Sequence, residues 1–485
     1  VQYRENPAYF RSTILYTCDM AQWISYPFLV LLLVAVLGSC NRDDDVVITV
    51  NVKSTQQISA SNGNFDGTLQ DDDRFGSAVA AIGDLEGDSV MDLVVGAPGD
   101  ADGGPGTGAV WILFMDSDGT VDTEEKISAS DGNFDGSLHD DDAFGSAVAG
   151  LGDMNGDQIR DIAVGAPGDD DGGTDRGAFW ILFLNQDGSV QSEAKISADE
   201  GNFNGNLDDG DHFGAALAAL GDLDGDEITD LAVGAPGDDD DSPDTGAVWI
   251  LFMNADGTVK NEQKISADSG GLDAQLQSGD AFGSAIANIN HLNGDGTIDL
   301  AVGAPGDDDG GTDTGAVWIL FLAADGRVID EQKLSSLEGD FEGVLSAGDA
   351  FGEALANVGD LDGDSIADLA VGTPGDDDSG TDTGAVWLLF YGEDGKVNNA
   401  QKLSSLEGQL DAALASGDRF GSAVAGIGNL DARHGNDLAV GAPFVDDNDT
   451  TDSGSLWVLF MDDVDDSTEC ERNPLLDFLG ILDCD

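Results

Sequence analysis

Short apolar runs separated by acidic, glycine-rich stretches recur along this chain with one fixed period. Phe-Gly falls at Phe75, Phe144, Phe213, Phe282, Phe351 and Phe420, each 69 residues after the last. Gly-Ala-Pro follows at Gly96, Gly165, Gly234, Gly303 and Gly441, with Gly-Thr-Pro at Gly372. Six copies at constant spacing mean six supersecondary units, each burying its apolar surface only against its neighbours. In the second copy, Phe144–Ala149 is a short strand of mostly small residues, strand A. Ile162–Pro167 is strand B, ended by Pro and Gly. Ala178–Phe183 is strand C, apolar at every position and therefore covered on both faces. Asp187-Gly188 is a tight-turn pair, and strand D runs through Ala194–Ala198.

Four antiparallel strands per unit, six times over, predict an all-β six-bladed β-propeller spanning residues 56–461. Trp111, Trp180, Trp249, Trp318, Trp387 and Trp457 all fall in strand C and are read as blade-to-blade packing rather than sugar-stacking platforms. The apolar residue of strand D recurs at Ile58, Ile127, Ile196, Ile265, Leu334 and Leu403. The first of these precedes the first Phe-Gly, and the sixth unit has no strand D of its own. The N-terminal strand is therefore expected to pair with the last repeat and close the ring, leaving no open edge.

The N-terminal region is of another kind. Phe28–Leu37 is a continuous apolar run, far short of the roughly 20 residues that a spanning helix needs. A short apolar segment ending in small residues reads as an export signal over residues 1–39, starting at Met20 or upstream. Leu37-Gly38-Ser39-Cys40 resembles the bacterial lipobox, which makes Cys40 the expected lipidation site at the head of a linker, 40–55. No Lys or Arg lies between Met20 and Cys40, so the positive n-region would come from Arg4 and Arg11. Cys470 and Cys484 sit in an acidic tail, 462–485, and are the pair available for a disulfide in an oxidising compartment. The repeats contain no cysteine, which excludes a thiolate zinc site there. The expected location is the cell envelope or surface through a lipid anchor, or otherwise secretion.

The 96 acidic against 18 basic residues give a formal charge of −78. Such a surface repels nucleic acid and anionic lipid headgroups and attracts cations and basic partners. Much of the acid lies in the B–C loops (Asp307 to Asp309, Asp376 to Asp378) and the D–A loops (Asp71 to Asp73, Asp140 to Asp142), which share one face of a propeller. That face is expected to be a broad carboxylate field.

The A–B loops carry a different pattern. Oxygen-bearing side chains alternate at positions 1, 3, 5 and 9: Asp84, Glu86, Asp88 and Asp92 in the first copy, and Asp153, Asn155, Asp157 and Asp161 in the second. The third has Asp222, Asp224, Asp226 and Asp230, the fifth Asp360, Asp362, Asp364 and Asp368. Oxygen ligands at every second residue around a curling chain suit a hard cation of calcium's size. Position 7 is apolar (Val90, Ile159, Ile228, Ile366) and would offer its backbone carbonyl. Position 4 is glycine in all four, which permits the bend. An acidic turn held by its own Asp side chains explains one such loop; four in register favour metal, about four calcium ions in all. The fourth loop opens with His291, followed by Asn293, Asp295, Thr297 and Asp299, and is expected to bind weakly or not at all. The sixth has Asn429, Asp431, Arg433 and Asp437, with a fixed cation where a ligand belongs, and is read as non-binding.

Phe-Gly, the alternating carboxylate loop and Gly-Ala-Pro together resemble the FG-GAP repeat of integrin α-chain propellers and their bacterial relatives. The resemblance covers residues 56–461 and implies calcium in the A–B loops, an adhesive, non-enzymatic role, and a protein or glycan ligand on the face of the D–A and B–C loops. Integrin α-chains have seven repeats against six here. The competing functions are a passive cation-binding envelope or matrix component, and a hydrolase acting on polysaccharide or phosphoester. For the hydrolase, His139, His212, His291 and His434 fall at unrelated offsets within their repeats and lack a nucleophile partner. Residues that break the repeat, Pro105, Asp241-Ser242-Pro243 and Phe444-Val445, are candidates for specificity.

Overall fold

Each of the first five copies of the repeat folds into a four-stranded antiparallel sheet, and the sixth supplies three strands of one, because their apolar runs are bounded by glycine- and aspartate-rich turns that let the chain reverse. The computed structural model describes residues 49–462 apart from 241, 293, 295, 340, 393, 394, 409, 411, 434, 448 and 449. These residues form 24 strands in six sheets, with no helix among them. The export segment, Cys40, Cys470, Cys484 and the acidic tail beyond 462 lie outside the described residues.

In the second blade the strands are Val148–Gly152, Asp161–Ala166, Ala178–Leu184 and Val190–Ser197. The A strands of neighbouring blades touch all round the ring, which puts A at the axis and D at the rim. Strand C is buried at all seven positions, as its unbroken apolar run predicts. Strand D exposes its second and third residues to solvent.

Strand A starts at Val148 rather than at Phe144, which corrects the sequence expectation. Gly145 adopts φ 94°, a left-handed conformation that ends any extended run through it. Phe144 and Gly145 stitch blades together instead. A parallel bridge pairs Phe144 with Gly108 of the first blade, and the same bridge recurs at every junction up to Phe75 with Gly454. A Cβ placed on Gly96 would lie 1.9 Å from the carbonyl oxygen of Gly145. The glycine of Gly-Ala-Pro in one blade therefore abuts the glycine of Phe-Gly in the next, which is the physical reason the two motifs recur together.

Six apolar clusters fill the six junctions, each drawn from two successive blades. Trp180 packs edge-on against Phe134 at 5.0 Å, and Phe134 stacks on Phe144 at 5.3 Å, so the tryptophans serve blade packing as expected. The ring closes through an N-terminal strand, Val52–Ile58, antiparallel to Ser455–Met461, with Ile58 opposite Leu456 and Val52 opposite Met461. It begins inside the stretch read as linker. Near this seam Phe444 stands between the guanidinium groups of Arg74 and Arg419, at 5.4 and 5.7 Å.

Candidate metal sites in the A–B loops

Four of the A–B loops, the first, second, third and fifth, are shaped by their own aspartates. Asp84 Oδ1 accepts the N–H groups of Gly87 (2.6 Å) and Asp88 (3.0 Å), and its Oδ2 accepts that of Ser89 (2.9 Å). Asp153, Asp222 and Asp360 repeat this set. The bond to position 6 holds a non-glycine residue left-handed, at φ 75° for Ser89, 73° for Gln158, 72° for Glu227 and 75° for Ser365. Such a conformation persists only where its surroundings over-determine it. The carboxylate at position 5 accepts the N–H of position 7, Asp88 from Val90 at 2.7 Å and Asp157 from Ile159 at 2.8 Å. The apolar side chains Val90, Ile159, Ile228 and Ile366 pack against the inter-blade cores and pin the loop to the ring.

Position 9 anchors the loop to strand C. Asp92 is fully buried; its Oδ2 accepts the Leu85 N–H at 2.8 Å and its Oδ1 the Met115 N–H at 3.1 Å. Asp161, Asp230 and Asp368 make the same pair of bonds. Asp437 of the sixth loop does too, so this residue has a structural task whether or not its loop could take a metal.

The structure gathers positions 1, 3 and 9. In Asp84, Glu86 and Asp92, in Asp222, Asp224 and Asp230, and in Asp360, Asp362 and Asp368, one oxygen of each carboxylate lies within 4.8 Å of the others. Calcium–oxygen distances of about 2.4 Å put ligands on opposite sides of an ion about 4.8 Å apart, so these oxygens fit around one such centre. The second loop has Asn155 at position 3, whose Oδ1 accepts the Asp157 N–H at 2.9 Å. The crowding is unfavourable for bare anions. Burial, with Glu86 alongside, pushes the Asp92 carboxyl up to about 7, and burial with Asp362 nearby does the same for Asp368. Asp161 and Asp230 are pushed up to about 6, again chiefly by burial.

The two departing loops are filled by other groups. His291 Nδ1 lies 2.6 Å from the Thr297 carbonyl oxygen, the position-7 carbonyl of the fourth loop, and can only donate to it. Asn293 and Asp295 lie outside the described residues; Asp299 is buried at position 9. In the sixth loop Arg433 Nε is 3.5 Å from Asp431 Oδ2, and Asn429 donates to the Arg433 carbonyl.

Sequence reasoning missed a second device on the opposite face. Lys195 of strand D bridges Asp169 (2.6 Å) and Asp171 (2.7 Å) of the B–C loop, and its ammonium lies 5.5 Å from the centre of the Trp180 ring. Lys126, Lys264, Lys333 and Lys402 repeat the arrangement. Burial by itself would push the Lys195 ammonium down, but its two carboxylates more than offset this and hold it up. In the D–A loops, Asp142 is buried and accepts the His139 N–H at 2.7 Å. The expected carboxylate field is thus partly turned inward and neutralised. The signal was a lysine immediately before the strand D isoleucine or leucine, also 69 residues apart.

Against this geometry stand the likenesses to known proteins. The FG-GAP repeat model matches residues 75–113, 144–182, 213–251, 282–320 and 351–389, one segment in each of the first five blades. Integrin alpha-PS5 of Drosophila melanogaster is 38% identical over 169 residues, 34% of this chain and 15% of that protein. Integrin alpha-PS2 of the same organism is 32% identical over 241 residues, 49% and 16% respectively. Integrin alpha-11 of Homo sapiens is 34% identical over 169 residues, 34% and 12%. The likeness therefore spans 12–16% of the length of these relatives. With its recurring motifs, its closed ring of blades and these relatives, the chain carries FG-GAP repeats in five of its blades and is similar to the integrin α-chains.

Proposed function

We propose that this propeller is a calcium-binding, non-catalytic interaction module of the cell surface or envelope, engaging a protein or glycan through its D–A and B–C loops. The observation that carries the reading is the convergence of positions 1, 3 and 9 in three loops on one face of an integrin-like ring. The holding residues would be Asp84, Glu86 and Asp92; Asp222, Asp224 and Asp230; and Asp360, Asp362 and Asp368. Asp153, Asn155 and Asp161 would form a fourth set, with the position-7 carbonyls and position-5 carboxylates completing each shell. A bound divalent ion would supply the positive charge that these crowded carboxylates lack. The chain's own part is to keep the loop bent and tied to strand C before any ion arrives, so little ordering remains to be done on binding.

The opposite face favours a partner rather than a passive coat. Its loops are acidic, yet Leu337, Val344 and Leu406 in the D–A loops are 67–81% exposed. Other repeats place Ser or Asp at the register of Leu337 and Leu406. Exposed apolar side chains on a charged rim are the composition of a contact surface. Export and a lipid anchor at Cys40 fit such a role. Calorimetric titration of chelated protein should find about four calcium ions, with binding to a glycan or protein array lost in chelator. Absence of any bound calcium would sink the metal reading, and detectable polysaccharide or phosphoester turnover would replace the module with a hydrolase.

A further inference from the structure

The third A–B loop is distinguished by a residue that lies outside it. Lys260 is the second residue of its blade's strand D, Val259–Ile265. Its Nζ reaches back to the loop, 2.6 Å from Asp224 Oδ2 and 2.7 Å from Asp226 Oδ2. Asp224 is one of the three carboxylates that converge there. The same register carries Asp122 in the first blade, Gln191 in the second, Ile329 in the fourth and Asn398 in the fifth. Among the four acidic loops, the third alone has a lysine at this register.

An ammonium with two short carboxylate contacts is already a cation inside the cluster. It is tethered through strand D, so its local concentration never falls, whatever the ionic composition outside. Its side chain is 40% exposed, and four rotatable carbons allow it to swing into solvent. We infer that Lys260 is an internal competitor for divalent metal, which makes the third loop the weakest of the four acidic sites and couples metal entry there to release of the lysine. The inference rests on the calcium reading above. Ion pairs this exposed are individually weak, so competition lowers affinity by roughly three- to tenfold without abolishing it. The first loop is the natural contrast, because Asp122 puts an anion where the third blade has a cation.

The test is calcium titration of the whole chain by calorimetry, comparing wild type with Lys260→Gln and Lys260→Arg. Wild type should show three tight steps and one weaker step. Lys260→Gln should tighten the weak step by about three- to tenfold, while Lys260→Arg leaves it weak. Adding Asp224→Asn to Lys260→Gln should remove the step that was gained. Identical isotherms for wild type and Lys260→Gln would overturn the competition while leaving calcium binding intact. No binding by either protein would overturn both, and a variant that only melts at lower temperature, with unchanged affinity, would reduce Lys260 to a surface ion pair.

Discussion

The contact between the two recurring glycines gives the sharpest test of why the repeat looks as it does. Gly165 of Gly-Ala-Pro needs no left-handed φ, so alanine is conformationally acceptable there. An alanine Cβ would nevertheless sit 2.0 Å from the carbonyl oxygen of Gly214, the glycine of the next Phe-Gly, and 3.2 Å from Ala147 Cβ. Non-bonded heavy atoms settle at about 3.5 Å, so the two blades must separate by more than about 1 Å at a junction packed to crystal-like density. Neither obstacle is a flexible side chain. Overpacking costs about 1–3 kcal/mol in cores that can adjust, and this one, backbone against backbone, belongs at the top of that range or above it. Gly210 is the control, with φ 92° and nothing within 4 Å of a Cβ. Gly210→Ala should cost only the left-handed conformation, about 1 kcal/mol. Equilibrium urea unfolding, followed by circular dichroism and tryptophan fluorescence, measures both. A loss below about 0.5 kcal/mol for Gly165→Ala, or a larger loss for Gly210→Ala, would refute the steric account.

The Lys–Asp bridges and the buried D–A aspartates give two further tests. Lys195→Gln leaves Asp169, 1% exposed, without its counter-charge, and should cost about 3–5 kcal/mol in urea unfolding. Adding Asp169→Val should recover much of that loss, because the sixth blade has Gln57 and Val445 at these two registers; a double variant no better than the single would contradict the reading. Burial holds the carboxyls of Asp73, Asp142, Asp211, Asp280 and Asp349 up at about 6, above an unfolded value of 3.8. The native state therefore keeps protons that the unfolded chain releases, and their stabilisation is complete below about pH 4 and lost as pH rises through 6. In chelator the protein should resist urea better at pH 5 than at pH 7.5, and the opposite order would rule this out.

Much of the architecture follows from position along the chain alone. A constant period leaves no room for an inserted domain, an apolar strand C demands a layer on each face, and the unpaired first strand before Phe75 is the strand D that the last repeat lacks. Those are constraints on local pattern and on counting, and a linear sequence carries them in full. The A–B loops were legible for the same reason, since their ligand candidates lie within nine residues of one another. What the sequence could not rank was which oxygens meet: positions 1, 3 and 9 converge, while position 5 turns to the position-7 N–H. Contacts between segments were out of reach altogether. Phe144 reads as the start of a strand but becomes a bridge to the preceding blade. Lys195 and Asp169 are 26 residues apart, and Lys260 and Asp224 are 36 apart. Each pair meets only because strand D folds back beside strand C and brings its side chains over the loops at either end of the sheet. Whether a given aspartate is solvated, buried, bridged by lysine or free to hold a cation is settled by that folding back, because the field at a carboxylate depends on distance in space and not on separation along the chain.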